Sequence, residues 1–160
     1  MNAVLKAGIG LAVLVQIFSV IMMATGILLS NPMMGGLIFL VVAIGLNIAA
    51  IWWGLSQTAA ESGYGKQLLN GLLIGLVAAV IIFALSLLTT TVLFPDYIEE
   101  SKLATIEMLE NMEMPDEVRE AQIEGVEAQT ASAQARNGAI GTVVTSLFFG
   151  AIIAIFKRKK

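Results

Sequence analysis

Eleven of the twelve carboxylates in this 160-residue chain lie between Asp96 and Arg136, against only Lys102, Arg119 and Arg136 as basic residues. Carboxylates can do acid–base work, and Asp96, Glu99 and Glu100 sit beside a long apolar run, where they could reach lipid headgroups. Glu113, Glu117, Glu120, Glu124 and Glu127 recur at alternating steps of four and three residues, which on an unbroken helix makes one acidic stripe. A hard-cation site needs oxygen ligands converging from a turn, and the sequence has no Asp-x-Asp-x-Asp-Gly loop. Pro115 also interrupts the stripe. The stripe therefore reads as a solvated face that keeps its segment out of lipid. Neither cysteine nor histidine occurs, which removes disulfides, thiolate nucleophiles, imidazole bases and most zinc or copper sites. There is no Walker loop, dinucleotide glycine pattern or nucleophile elbow, and Gly63-x-Gly65 is too short to signify. Basic residues are few and lack an aromatic platform, so nucleic acid is not an expected partner. The expectation is a protein without catalytic residues, metal or cofactor.

A second set of polar residues lies inside apolar runs. Gln16, Asn47 and Ser86 are the main ones, with Thr89, Thr90 and Thr91 nearer the end of their run. They suit a solute pathway, but hydrogen bonds between membrane helices, worth typically ~0.6 kcal/mol each, are the commoner use. No Asp, Glu, Lys or Arg lies deep in these runs, although coupled carriers need such a group to bind and release the driving charge. Small residues also recur: Ala3, Ala7, Gly8, Gly10 and Ala12 early on, then Gly71-x-x-x-Gly75 followed by Ala79. That spacing lets helix backbones approach closely in lipid, either between chains or, more commonly, within one bundle.

The elements that carry these residues follow from hydropathy. The chain is 58% hydrophobic and only 13% charged, whereas soluble domains carry about 25% charged residues. Residues 68–93 contain no charge at all. As a helix they would extend about 39 Å, more than the ~30 Å hydrocarbon core of a bilayer. Spans are predicted over residues 4–29, 33–55, 68–93 and 139–156 of one membrane domain that occupies residues 1–160. The first run is too long for a signal-peptide core and is expected to remain uncleaved. Ser30-Asn31-Pro32 breaks the chain, with Asn31 as cap and Pro32 in the first helical position, so the first two spans form a hairpin. Trp52, Trp53 and Tyr97 are candidate anchors at the headgroup boundary.

Residues 95–136 form a polar insert. Ile98, Thr105, Ile106, Leu109 and Met112 share one helical face, opposite Glu100, Glu107 and Glu110, which predicts an amphipathic helix over 96–113. A second, alanine-rich helix is predicted over 116–135 after Pro115. The fold class is thus an all-α integral membrane four-helix bundle with an amphipathic helical insert between the third and fourth spans.

Counting basic residues in short flanks orients the bundle. With both termini cytoplasmic, Lys6, Lys66 and the anchor Lys157, Arg158, Lys159 and Lys160 lie inside, and the acidic insert lies outside. Inversion would put six basic residues outside and three inside. The terminal cluster suits a stop-transfer anchor and also contacts with anionic headgroups.

The Phe94-Pro95-Asp96-Tyr97 exit from the third span, the charged insert and the terminal Ala154-Ile155-Phe156-Lys157-Arg158-Lys159 resemble a bacterial membrane family, domain of unknown function forty-one ninety-nine. The resemblance extends over nearly the full chain and implies a bacterial inner membrane; it carries over no functional residues. The functional expectation is a non-enzymatic accessory, scaffold or self-associating subunit. Its partners are the lipid bilayer and a protein, or further copies of itself, touched through the insert. The alternative is a small oligomeric channel or uncoupled carrier around Gln16, Asn47 and Ser86.

Overall fold

A computed structural model of the chain describes residues 2–159. Among them there is no strand: seven helices, two of them extended by short 3-10 or π turns, account for nearly all of the chain. Four helices are long and apolar enough to cross a membrane, with mean hydropathies from 2.3 to 2.8. Their outward residues are apolar too: Val41 is 68% exposed, Val80 71% and Phe156 71%. A surface like that is stable only against lipid, and the protein is a multi-pass membrane protein.

Helix α1 (Ala3–Ala24) starts where the Asn2 side chain accepts from the Val4 N–H at 3.1 Å. It ends earlier than the predicted 4–29 span. Gly26 takes a left-handed conformation (φ 67°), and its N–H donates to the Met23 carbonyl. Glycine at this position closes the helix, and the apolar residues beyond it form a separate short helix, α2 (Ile27–Ser30). Leu28 and Leu29 of α2 pack on a small cluster of Met23, Tyr97 and Ile98, which explains why the hydropathy continues past the helix end.

Helix α3 (Pro32–Thr58) begins as expected, with Asn31 accepting from the Met34 N–H at 3.0 Å and Pro32 in the first turn. A 3-10 turn (Ala59–Glu61) leads to α4 (Tyr64–Leu88). A π turn over Thr89–Leu93 prolongs α4, its Phe94 N–H reaching the Thr89 carbonyl five residues back. The insert then forms α5 (Tyr97–Glu110) and α6 (Asp116–Glu127), separated at Pro115.

The last helix, α7 (Ala131–Phe156), corrects two boundaries. The predicted span at 139 and the second insert helix to 135 both misplace residues 131–138. Thr130 caps α7 by accepting from the Ala133 N–H at 3.1 Å, and the alanine-rich segment extends the crossing helix beyond its apolar stretch. The insert is accordingly shorter than 95–136. Ala135 is anchored, only 1% exposed.

Viewed down the bundle, the order is α1, α3, α7, α4. Helices α1 and α4 run parallel, as do α3 and α7, and the α4–α7 interface is the most extensive. The core is formed by Leu11, Ala12, Ile51, Leu55, Ile74, Ala78 and Ala154, none more than 1% exposed. One end of the bundle carries the start of α1, the end of α7 and the 59–63 turn. The other carries α2, α5 and α6.

Candidate functional site

Close packing at the small residues sets the width of the bundle. A Cβ on Gly71 would lie 3.1 Å from the Gly150 Cα, and one on Gly75 would lie 2.5 Å from the Ser146 Cβ. Both glycines therefore face α7 of the same chain. Ala79 continues this row and is 6% exposed. On the α1 side, Gly8 meets Val77 in the same manner, and Gly54 of α3 meets Ile74. These contacts draw the backbones together near the end that carries the termini.

Towards the other end the helices leave a cavity of about 270 Å³. Gln16, Asn47 and Ser86 come from three different helices and all line it. The Gln16 amide donates to the Thr89 hydroxyl at 2.6 Å, joining α1 to the π turn. That bond explains why Thr89 is 97% buried although it lies near a helix end. The Asn47 amide nitrogen donates to the Ser146 hydroxyl at 2.9 Å and approaches the Thr142 carbonyl at 3.5 Å, tying α3 to α7. Its carboxamide oxygen is buried without a partner. Gln134, Thr142 and Thr145 of α7 add further polar lining, and no charged side chain contributes. Below the cavity, Leu11 belongs to the tightly packed layer with Ile51, Leu55 and Ile74, so the space is closed on the side of the termini.

A second buried polar cluster lies at the end of the bundle that carries the 59–63 turn, and sequence reasoning did not single it out. Gln67 is fully buried at the start of α4. Its amide nitrogen donates to the Leu55 carbonyl at 2.9 Å and to the Lys157 carbonyl, and its oxygen accepts from Thr58 at 2.8 Å and Asn70 at 3.1 Å. The Lys159 N–H donates to the buried Ser62 at 2.9 Å. Together these bonds clamp the ends of α3, α4 and α7. The available signal was a pair of amides, Gln67 and Asn70, one turn apart at the edge of an uncharged run.

The boundary residues divide. Trp52 and Trp53 are about half exposed, and the Lys157 ammonium lies 4.0 Å from the centre of the Trp52 ring. This cation–π contact holds the basic terminus beside the aromatic pair. Arg158 and Lys159 are exposed, and Lys160 lies outside the described residues. Tyr97 turns inward, away from the exposed surface. It is 6% exposed, packed with Met23 and Ile98, and burial pushes its phenol above the ordinary pKa while a hydrogen bond with Ser101 opposes that. The cause is α2, which supplies an apolar floor that hydropathy alone assigned to the first span.

The carboxylates do not converge. Asp96, Glu99 and Glu100 are exposed, and Glu99 pairs with Lys102 at 2.9 Å. Among the described residues no three His, Cys, Asp or Glu side chains gather into a metal-sized group. On α5, Ile98 and Leu109 are buried while Met112 lies beyond the helix and is 40% exposed. Helix α6 buries none of its residues. Its base is held by Arg119, which pairs with Asp116 at 2.8 Å and donates to the Met114 carbonyl at 3.1 Å.

The family model for "Protein of unknown function (DUF4199)" matches residues 6–159. No curated protein and no solved structure matches the chain.

Proposed function

We propose, from the premise that this chain belongs to the DUF4199 family and crosses a membrane four times, that it is a non-enzymatic accessory or scaffold protein of the bacterial inner membrane. Both termini are cytoplasmic in this reading, with Lys6, Lys66 and the basic terminus on the inner side. Helices α5 and α6 then form an extracytoplasmic arm that contacts a partner protein.

The observation that carries this reading is the state of α6. It has 12 residues, none of them buried, and its Val118 is 46% exposed. An isolated helix of that length is marginal in water, so its apolar residues require cover. Asp116, Glu117, Glu120, Glu124 and Glu127 outnumber Arg119, so the matching surface is basic. Two copies of the same arm would repel, which favours a different protein over self-association through this surface. Replacing residues 116–127 by glycine and serine of equal length tests it. Co-purified partners should be lost after crosslinking while membrane insertion and thermal stability are retained. An unchanged partner set would refute the arm as the contact surface.

One observation favours the second reading, a small channel or uncoupled carrier: Gln16, Asn47 and Ser86 border a common space. Solute flux from purified protein in liposomes, abolished by Asn47→Leu, would support it. The packed layer of Leu11, Ile51, Leu55 and Ile74 weighs against a continuous pore.

A further inference from the structure

We propose that the last residues after α7, folded across the start of α4, form a site for the headgroup of an anionic phospholipid of the phosphatidylglycerol type, with its phosphate beside the Lys157 ammonium. The inference needs the four helices to be embedded in lipid. It is independent of the arm and of which face of the membrane this end occupies.

Charge is divided between the two ends of the molecule. Lys6, Lys66, Lys157, Arg158 and Lys159 stand at this end against Glu61 alone, whereas the other eleven carboxylates fall within residues 96–127. Basic residues near a membrane surface attract anionic lipids, but a free tail does so diffusely. Here the tail is tied down. The Lys159 N–H donates to the Ser62 carbonyl at 2.9 Å, and the Lys157 carbonyl accepts from the amide of the buried Gln67. Ser62 and Gln67 flank the first turn of α4, which also carries Lys66, so the tail is held against that turn.

Trp52 and Trp53 give the site its depth. Both are about half exposed, and indole rings favour the headgroup boundary. The Lys157 ammonium, 4.0 Å from the centre of the Trp52 ring, is thereby held at that boundary. An ammonium has three donors, so the ring face leaves N–H groups for a phosphate oxygen. Lys6 is exposed at the same depth, because its neighbour Ala7 lies 3.0 Å from the Cβ position of Gly54, the residue after Trp53. Glu61, the one carboxylate at this end, lies beyond the end of α3. A phosphodiester with a net negative charge suits this layer. A choline or ethanolamine head brings its own cation, which the lysines repel.

Trp52 and Trp53 are also the only tryptophans, so their fluorescence reports the lipid beside them. The test places the full chain in phosphatidylcholine vesicles with a minor share of phosphatidylglycerol, or of phosphatidylcholine, brominated close to the glycerol. Quenching should show about a tenfold preference for phosphatidylglycerol, which corresponds to about 1.4 kcal/mol. Lys157→Gln should remove most of that preference. Gln67→Leu keeps every basic residue but releases the tail, and should reduce the preference several-fold. A melting curve checks that this variant folds, and the Lys157→Gln result stands without it. Equal quenching by the two lipids, or an undiminished preference in Lys157→Gln, would overturn the proposal. An undiminished preference in folded Gln67→Leu would refute a built site in favour of diffuse attraction. Inorganic phosphate that abolishes the preference, where sodium chloride of equal ionic strength does not, would show a site for a soluble anion and refute the lipid.

Discussion

Gln67 is fully buried and its amide nitrogen reaches carbonyls on α3 and at the end of α7, so one side chain joins three helix ends. Gln67→Leu removes the donor to the Leu55 and Lys157 carbonyls and an acceptor for Thr58 and Asn70, and loss of such satisfaction costs about 1–3 kcal/mol. Thermal unfolding in detergent should fall by several degrees. Gln16→Leu removes a single interhelical bond to Thr89, worth typically ~0.6 kcal/mol, and should shift the transition much less. A reversed ranking would show that the π turn, not the clamp, is the weak point. Tyr97 has its own signature. Its folded pKa is raised, so the unfolded chain gives up the phenolic proton first as the solution becomes alkaline. Its stabilising contribution is complete below the ordinary tyrosine pKa of about 10 and is lost as pH rises through the folded value. Tyr97→Phe should flatten that alkaline decline in a urea titration. Asn47 was legible as a polar residue inside a span, but its lone oxygen was not, since that depends on which groups α7 presents.

The α4–α7 pair is where element-scale packing is tightest. Gly75→Val should collide with Ser146 and separate the pair, at about 1–3 kcal/mol for overpacking, seen as a lower melting temperature. On α6 the opposite holds. Gly125 has open space around its Cβ position, so Gly125→Ala should raise helicity by circular dichroism and stabilise the helix by about 1 kcal/mol. The spacing of Gly71, Gly75 and Ala79 disclosed a close approach, but not which helix makes it. Three-dimensional packing assigns that helix to the same chain. Boundaries were less legible than elements. Residues 131–138 carry both polar and helix-forming side chains, so composition ended the span where apolarity ended, while the Thr130 cap starts the helix earlier. At the other extreme, Asn31-Pro32 holds both a cap and a first-turn residue, and that start was legible in full.

At the scale of the molecule, the start of α1, the end of α7 and the 59–63 turn share one end, and the arm shares the other with α2. Because the chain contains no cysteine, single ones report sidedness cleanly. A membrane-impermeant maleimide applied to intact cells should label Gln122→Cys on α6 and spare Gln57→Cys at the end of α3. Both positions are exposed, so protection reflects the bilayer and not burial. The reverse pattern would invert the topology and move the arm to the cytoplasm. The cavity lies in the half of the bundle nearest the arm, since its α7 lining begins at Gln134, within the first turn of that helix.

Residue order alone determined that four helices must enter lipid and that an acidic insert must stay in water. Hydropathy and charge act locally, and summing them along a helix requires no knowledge of its neighbours. Tertiary structure alone decided which small residues touch, that Gln16, Asn47 and Ser86 border the same space, that Tyr97 turns inward, and that Gln67 locks three ends. Each of those depends on how helices distant in the chain rotate about their axes when they pack, and hydropathy that is uniform around a membrane helix leaves that rotation unspecified.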